Sequence, residues 1–271
     1  MAEKVLLVGC GNMGFAMLQG WLALQPSPQI TVVEPAAALR ARISDLAVSA
    51  LASAEDLAAD YCPDIVVLAV KPQMFADVLP AYARFAGPSR LFVSIAAGVT
   101  TATIAGLTAA DAAIVRCMPN TPAAIGHGVM ALFANDHVTA GQSEAAATLL
   151  AACGTVVRID NEALMDAVTA VSGSGPAYVF HFIEALSEAA RQVGLPEDLA
   201  DLMAIKTVEG AARLAGSGDD DPATLRQKVT SPGGTTAAAL GVLMRDDALS
   251  KLVGDAVEAA RDRSIELGKS E

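Results

Sequence analysis

Three glycines in a six-residue turn constrain the fold of this chain more than any other feature. The segment GCGNMG (residues 9–14) directly follows the strand-like run KVLLV and directly precedes the amphipathic run FAMLQGWLAL. Gly9 permits a tight turn, Gly11 lets the backbone approach a pyrophosphate, and Gly14 lets helix and strand pack closely. The helix N-terminus offers unpaired N–H groups to an anion. The turn therefore predicts a dinucleotide site, and a structural turn in an α/β domain that binds nothing is the alternative.

An acidic residue ends the second predicted strand. Glu34 lies about 20 residues beyond the last glycine, where a carboxylate bonds the ribose hydroxyls of a dinucleotide. Such a carboxylate repels a 2′-phosphate, which favours NADH. Arg40 and Arg42 follow in the next predicted helix and leave NADPH open, and a solvent-facing Glu34 is the alternative without a ligand.

Short apolar runs alternate with helical patterns over the first 160 residues. The predicted strands cover residues 4–8, 30–33, 65–70, 91–95, 113–117, 129–133 and 155–159. A helix is predicted near 141–152. Hydrophobic residues make up 53% of the chain and aromatic residues 4%, so the core consists mainly of aliphatic side chains. This alternation predicts an α/β fold with a doubly wound, Rossmann-type parallel sheet.

The strand pattern stops after Asp160, and the rest of the chain has only helical patterns. We therefore predict two domains, a dinucleotide-binding domain over 1–160 and an all-helical domain over 161–271. One long helix is predicted over 177–193, with Pro176 in its first turn. About 110 residues of Ala-rich helices rarely enclose a strong core alone, so this half is predicted to pair with another subunit.

Charge and cysteine usage exclude several classes of protein. The net charge of −12 argues against nucleic-acid and membrane partners. The cysteines at 10, 62, 117 and 153 are scattered, with no CxxC pair and no clustered histidine. We therefore expect reduced thiols that fill small buried spaces, a cytoplasmic protein, and no metal site.

Six separated segments give the chain a family resemblance. They are GCGNMG (9–14), AVKPQ (69–73), SIAAGVT (94–100), RCMPNTPA (116–123), SGSGPAYVF (172–180) and TSPGGTT (230–236). Together with the closing segment 222–243, they make the chain resemble the pyrroline-5-carboxylate reductase family over nearly its whole length. Met244 departs from that pattern, since a polar residue is expected there.

The resemblance implies an activity and a way of assembling. Members of the family reduce 1-pyrroline-5-carboxylate to L-proline with NADH or NADPH, in the last step of L-proline biosynthesis. A helical C-terminal domain that dimerises the chain is also implied, and whether dimers build a decamer stays open.

The predicted cofactor contacts lie at strand ends. Backbone contact at 69–72 is implied by the resemblance, although Lys71 needs no role beyond an exposed strand end. Small residues at 96–98 leave room for a nicotinamide, or serve close helix–sheet packing. Asn120 anchors the cofactor or substrate, or forms an Asx-type turn. The predicted cofactor residues are Gly9, Gly11, Asn12, Met13, Gly14, Glu34, Ala69, Val70, Lys71, Pro72, Ala96, Ala97, Gly98 and Asn120.

A second glycine turn precedes the helix-like run AAALGVL. Thr235 or Thr236 suits its N-cap, which makes the turn either an anion site or an ordinary helix start. The resemblance implies that this loop binds the substrate carboxylate and that Thr236, the catalytic candidate, hydrogen-bonds the ring nitrogen. The predicted substrate contacts are Ser174, Ser231, Gly233, Gly234, Thr235 and Thr236. A cyclic imine that is readily protonated needs no strong protein acid, and the three histidines form no recognisable triad.

Two other functions compete with this interpretation. One is another imine reductase or a β-hydroxyacid dehydrogenase, whose GxxGxGxxxK pattern carries a catalytic lysine. SGSGPAYVF has no lysine, and Lys206 lies on a different predicted helix. The other is a non-catalytic NAD(H) sensor, although the acidic chain leaves no spare segment for a DNA-binding module.

Overall fold

A single mixed sheet forms the N-terminal part of the computed structural model, which describes residues 3–218 and 220–269. The described strands are β1 (Lys4–Val8), β2 (Gln29–Val33), β3 (Ser49–Leu51), β4 (Ile65–Leu68), β5 (Leu91–Ser94), β6 (Ala113–Met118), β7 (Gly128–Ala134) and β8 (Gly154–Arg158). Their spatial order is β3-β2-β1-β4-β5-β6-β7-β8. The first six places of this order are those of the doubly wound dinucleotide-binding fold, so the predicted fold class is confirmed.

The last two strands run against the others. Strands β1 to β6 pair in parallel, whereas β7 is antiparallel to β6 and β8 is parallel to β7. The prediction of an all-parallel sheet is therefore wrong for β7 and β8. A parallel crossover needs a dozen or more residues, and the connection over 119–127 is shorter than that, so the chain turns back beside β6.

Strand β3 was not predicted from the sequence. It has only three residues, none of them buried, at the edge of the sheet. Ser49 interrupts the apolar residues around it, and the three residues of β3 pair with Thr31, Val32 and Val33 of β2. The seven other strands confirm the predictions to within two residues at each end.

Helices cover both faces of the sheet. The described α-helices are α1 (Asn12–Leu22), α2 (Ala37–Ala41), α3 (Phe75–Val78), α4 (Thr101–Leu107), α5 (Ala140–Ala151), α6 (Met165–Val168), α7 (Gly175–Gln192), α8 (Glu197–Ser217), α9 (Pro222–Lys228), α10 (Thr235–Leu243) and α11 (Ala248–Lys269). Successive side chains of a strand face opposite sides, so Leu7 packs into one apolar layer and Leu6 into the other. Trp21 of α1 is fully buried and donates its indole N–H to the Leu149 carbonyl at 3.0 Å, which ties α1 to α5.

Every described element after Asp160 is helical, as predicted, and α7 begins two residues before the predicted start. A π-helical turn over Thr169–Gly173 precedes α7. The chain divides into two compact units. One contains the residues up to Ser174 and those from Ala260 onward, and the other contains Gly175–Ala259. The domain boundary at 160 stays a prediction.

The second unit buries little of its apolar surface within one chain. Ser187, Ala200 and Ala204 are the buried residues of α7 and α8. Large apolar side chains are exposed on the helices of this unit, among them Val179, Phe180, Phe182, Leu202, Met203, Ile205, Leu214, Val242, Leu252 and Val253. A surface of this kind is typical of an interface. Among the described residues, no helix has the length and apolar character needed to cross a bilayer.

We expect Gly154→Ala to lower the free energy of unfolding by about 2–3 kcal/mol. Gly154 has φ +151°, and an added Cβ would lie 2.0 Å from the Gly128 carbonyl oxygen on β7. Urea unfolding followed by circular dichroism measures the change. Gly106→Ala is the matched control, because an added Cβ there meets no atom within 4 Å, and it should raise stability by roughly 0.5–1 kcal/mol. Equal midpoints for the two variants would contradict this reading of the β7–β8 pairing.

Candidate functional site

The glycine turn follows β1, which lies between β2 and β4 in the sheet. The order of the strands reverses at this place. Gly9 has φ +88°, and its amide donates to the Val33 carbonyl at 2.8 Å. A Cβ on Gly14 would lie 2.6 Å from the Gly9 carbonyl oxygen, so only glycine lets α1 start this close to the turn. The predicted structural roles of Gly9 and Gly14 are therefore confirmed.

Gly11 faces open space at the start of α1. It is the N-cap residue, no side chain caps the helix, and an added Cβ would meet nothing within 4 Å. Gly11 borders a cavity of about 400 Å³ at the carboxyl ends of β1, β2 and β4. The polar side chains on the cavity wall belong to Glu34, Ser53, Lys71, Asp77 and Tyr82. A helix N-terminus that opens onto a cavity of this size can hold an anionic ligand.

Glu34 supports the glycine turn from the end of β2. The residue is buried, its Oε2 accepts from the Cys10 amide at 2.7 Å, and its Oε1 accepts from the Ala36 amide at 2.9 Å. The solvent-facing alternative is therefore wrong. Each carboxylate oxygen keeps a lone pair beside the cavity, and contact with a ribose stays a prediction.

The two arginines after Glu34 both interact with other groups of the chain. Arg40 donates from Nη1 to the carbonyls of Glu34 and Pro35, at 2.7 Å each. The Arg42 guanidinium carbon lies 3.4 Å from the centre of the Phe15 ring. Neither arginine lines the cavity beside Glu34.

The thiol within the glycine turn is held neutral. Burial and the nearby Glu34 carboxylate raise the pKa of Cys10 to about 11, against an opposing effect of Arg42. All four cysteines are unpaired with one another, and Cys10, Cys117 and Cys153 are buried as predicted. Cys62 is exposed and accepts from Arg90 at 2.7 Å, so the prediction of a buried position is wrong for it.

A second, smaller cavity of about 230 Å³ adjoins the first, and the two share Ala69, Val70 and Lys71. It brings together three separated segments predicted to contact a cofactor. Its wall consists of Met13, Ala69, Val70, Lys71, Pro72, Ile95, Ala96, Ala97, Met118 and Pro119. Lys71 is exposed, and no carboxylate of the described residues forms an ion pair with it. The two adjoining cavities lie at the carboxyl edge of the sheet and are together called the groove.

Four predicted cofactor residues line neither cavity: Asn12, Gly14, Gly98 and Asn120. Asn12 is exposed and Gly14 is buried in the first turn of α1. Gly98 has φ +80° and faces the backbone of Gly268 on α11, at 3.3 Å from an added Cβ. Asn120 is buried and donates from Nδ2 to the Ser172 carbonyl and hydroxyl, at 3.1 and 3.3 Å. Its Oδ1 accepts from the Val129 amide at 2.9 Å, and it makes no side-chain cap to the next turn, so the Asx-type interpretation is wrong. Contact of Gly98 or Asn120 with a cofactor stays a prediction.

The glycine turn predicted to bind the substrate belongs to the second unit. Gly233 has φ +72°, and the Gly234 amide donates to the Ser231 carbonyl at 3.0 Å. Gly234 is the N-cap of α10, one residue before Thr235 and two before Thr236, so the prediction of Thr235 or Thr236 as N-cap is wrong. Within the described residues, no backbone carbonyl accepts a hydrogen bond from the amides of 235–237. These amides point out of the helix start and are available to an anion.

Ser174, the remaining predicted substrate contact, closes the first unit. Its amide donates to the Thr169 carbonyl at 2.8 Å within the π-helical turn. Such turns interrupt helices at functional sites more often than elsewhere. No group of three His, Cys, Asp or Glu side chains in the described part of the chain could hold a metal ion.

Sequence reasoning missed several residues of the groove. Ser53, Asp77 and Tyr82 line the larger cavity but belong to no motif. Ser53 carries a local signal, since it forms a capping box with Asp56. The other two reach the cavity only through the path of the chain between β4 and β5.

Two family models match the chain. A model described as pyrroline-5-carboxylate reductase dimerisation matches residues 162–267. A model described as NADP oxidoreductase, coenzyme F420-dependent, matches residues 4–98, which contain the glycine turn and the strand ends around it.

Relatives match from end to end. The pyrroline-5-carboxylate reductase of Pseudomonas aeruginosa is 41% identical over 268 residues, which is 98% of this chain and 97% of the relative. The Escherichia coli enzyme is 36% identical, with all of both chains covered. A solved pyrroline-5-carboxylate reductase from Coxiella burnetii superposes with a TM-score of 0.91 at 36% identity, covering 98% of this chain and 99% of the other. A Plasmodium falciparum pyrroline carboxylate reductase with NADP bound gives 0.84 at 30% identity, with 98% of each chain covered.

Removal of the Glu34 carboxylate should weaken dinucleotide binding. We expect Glu34→Ala to raise the dissociation constant for NADH about tenfold to hundredfold, because two amides next to the groove lose a charged acceptor. Titration by NADH fluorescence measures it. Glu55→Ala removes an exposed carboxylate outside the cavity and should leave binding unchanged. Unaltered binding by Glu34→Ala would exclude Glu34 from the site.

Proposed function

Because the chain belongs to the pyrroline-5-carboxylate reductase family, we propose that it reduces 1-pyrroline-5-carboxylate to L-proline with a nicotinamide dinucleotide, in the last step of L-proline biosynthesis. The observation that carries this proposal is the pair of adjoining cavities at the switch point of the sheet, in a chain that matches reductases along its entire length. The chemistry is a transfer of hydride to a C=N carbon.

The residues of the groove fit a dinucleotide. The open face of Gly11 and the uncapped start of α1 suit a pyrophosphate, since backbone amides can approach it without a side chain between them. We assign the adenosine half to the larger cavity and the nicotinamide half to the smaller one. Small side chains at Ala69, Ala96 and Ala97 leave the smaller cavity room for a flat ring.

We place the substrate carboxylate at the start of α10. The amides of 235–237 converge there beside Gly233 and Gly234, and the partial positive charge of a helix N-terminus favours an anion. The hydroxyl of Thr236 is proposed to hold the ring nitrogen, with Ser174, Ser231 and Thr235 as further contacts. The residues then act by binding and orienting the imine.

Positioning is sufficient for this reaction. A bound reduced nicotinamide supplies the hydride. The chain's own residues hold the imine and fix its orientation, which lowers the entropic part of the barrier. A protonated imine is already electrophilic, so no side chain has to deliver a proton before the hydride arrives, and a hydroxyl such as that of Thr236 stabilises the nitrogen as its charge changes.

Glu34 favours NADH as the cofactor. A 2′-phosphate would bring negative charge next to a buried carboxylate, and Arg40 and Arg42 are engaged by two carbonyls and by the Phe15 ring. The Plasmodium falciparum structure holds NADP, which describes that protein. We therefore propose that this chain uses either nucleotide and prefers NADH.

The chain is proposed to work as a homodimer. The family's dimerisation region spans 162–267, and the helices of the second unit carry the exposed apolar side chains that a partner would cover. A decamer built of such dimers would give a sedimentation mass of ten chains. The unpaired cysteines fit the reducing cytoplasm that we propose as its compartment.

We expect loss of NADH absorbance at 340 nm when 1-pyrroline-5-carboxylate is added, with L-proline as product. The kcat/KM for NADH should exceed that for NADPH by about tenfold or more, since repulsion at Glu34 acts on binding of the 2′-phosphate. Comparison of both nucleotides and several cyclic imines in one assay measures this. A higher value for NADPH would refute the preference, and tight NADH binding without turnover would support a sensor instead.

We expect Thr236→Ala to lower kcat/KM roughly tenfold to hundredfold, which corresponds to the loss of one polar contact to a charged group. Thr236→Ser keeps the hydroxyl and should restore most of the activity. Thr108→Ala is the control, because the Thr108 hydroxyl bonds a carbonyl of its own helix. Unchanged kinetics in Thr236→Ala would remove Thr236 from the site.

A further inference from the structure

A buried charged cluster lies directly beside one wall of the groove. Glu162 accepts from the Thr101 amide through Oε1 at 2.8 Å and from the Thr101 hydroxyl through Oε2 at 2.8 Å. Its Oε1 also pairs with Nη1 of Arg116 at 3.2 Å. Both carboxylate oxygens are thus used by a single residue at the start of α4 and by one arginine of β6.

The cluster is too buried to be an incidental surface pair. The Arg116 side chain is 6% exposed and that of Glu162 is 22% exposed. Within 3–218 and 220–269, Glu162 is the one acid that forms an ion pair with Arg116. A buried charge that loses its partner is strongly unfavourable, so Arg116 keeps the Glu162 carboxylate in place.

Thr101 is the point where this cluster reaches the groove. It ends the loop over 95–100, whose residues Ile95, Ala96 and Ala97 form a wall of the smaller cavity. The loop begins at Ser94 of β5, whose hydroxyl accepts from the Ala96 amide at 3.3 Å. Its middle residue, Gly98, lies against the backbone of Gly268, where an added Cβ on Gly268 would be 3.0 Å from the Gly98 carbonyl oxygen.

Three contacts therefore hold this loop: one at Ser94, one between Thr101 and Glu162, and one between Gly98 and Gly268. Two of the three involve a residue outside the sheet. Ser94 belongs to β5, but Glu162 follows β8 and Gly268 lies one residue before the end of α11. Both of these lie C-terminal to all eight strands in sequence. The shape of the smaller cavity thus depends on residues that contribute no atom to its wall.

We propose that Glu162 is a positioning residue of the nicotinamide site, which acts through Thr101 to hold the 95–100 loop in the form that receives the cofactor. This inference rests on the proposed function for the identity of the ligand. The effect of Glu162 on the loop conformation does not depend on the identity of the ligand, because Arg116, Glu162 and Thr101 contact one another without any ligand. Arg116 holds the carboxylate, the carboxylate holds Thr101, and Thr101 sets the end of the loop.

The first test measures the loop itself, in the protein without nucleotide. Glu162→Gln should increase deuterium uptake in a peptide covering 95–100 by at least twofold at early times, because the amide side chain cannot accept from both groups of Thr101 and also pair with Arg116. Thr101→Val should act in the same direction, and Thr101→Ser, which keeps the hydroxyl, should match the wild type. Glu144→Gln is the matched control, since it removes the same charge from an Arg–Glu pair of 2.8 Å on the surface.

The second test measures binding and kinetics. In Glu162→Gln, the dissociation constant and the KM for NADH should rise roughly threefold to tenfold, because the loop must then be ordered on binding. The KM for 1-pyrroline-5-carboxylate should change less than twofold. Glu144→Gln should alter neither value, and melting temperatures recorded for all variants separate a general loss of stability from the local effect.

Several outcomes would overturn the proposal. Unchanged uptake in 95–100, or an unchanged NADH dissociation constant with only a lower melting temperature, would show that the cluster serves stability alone. Equal rises in both KM values would show a general disturbance of the site. If the wild type binds NADH but reduces no imine, the proposed reaction fails, while exchange and NADH binding still decide the role of Glu162. If Glu162→Gln does not fold, Thr101→Val decides it.

Discussion

The close approach of α1 to the sheet is the constraint on which the rest of the site depends. Gly14 lies so near the Gly9 carbonyl oxygen that a Cβ between them would sit at 2.6 Å, well inside the normal contact distance. The absence of that one carbon lets the helix begin directly over the switch point of the sheet. The unpaired amides of α1, the end of β2 and the end of β4 then border one cavity.

Two carboxylates near the groove hold the backbone. Glu34 bonds two amides around the glycine turn, and Glu162 bonds the amide and hydroxyl of Thr101. Both carboxylates lie at the edge of a loop that lines a cavity. An imine that arrives already electrophilic requires a rigid frame more than an acid, and these carboxylates supply rigidity. The distribution of polar groups therefore agrees with the proposed reaction.

The sequence predicts the sheet well where its signals are local. Most strands of the sheet are short, mainly apolar runs, and seven of the eight described strands were predicted to within two residues at each end. The glycine turn was also predictable, since Gly9 and Gly14 each meet a steric demand that other residues cannot meet. The direction of β7 was not apparent, because strand runs look alike in either orientation and only the short connection after β6 reverses the chain.

Contacts between segments that are distant in the chain could not be predicted from the sequence. Nothing in the motif around Asn120 indicates that its amide bonds Ser172, and no local pattern relates Thr101 to Glu162, 61 residues later. The N-cap of α10 was misplaced for a different reason, because the positive φ of Gly233 shifts the turn by one residue. The predicted substrate contacts rested on resemblance, which transfers a motif but not the local backbone geometry.

The high pKa and the burial of the Cys10 thiol affect which cysteine reacts with oxidants. Peroxides and alkylating reagents attack the thiolate, and a pKa of about 11 leaves very little thiolate on Cys10 at neutral pH. Burial removes the remaining access. Cys62 is the exposed cysteine, and it belongs to neither cavity. Cysteine oxidation in this protein should therefore begin at a thiol outside the groove and leave the Cys10 thiol of the glycine turn reduced.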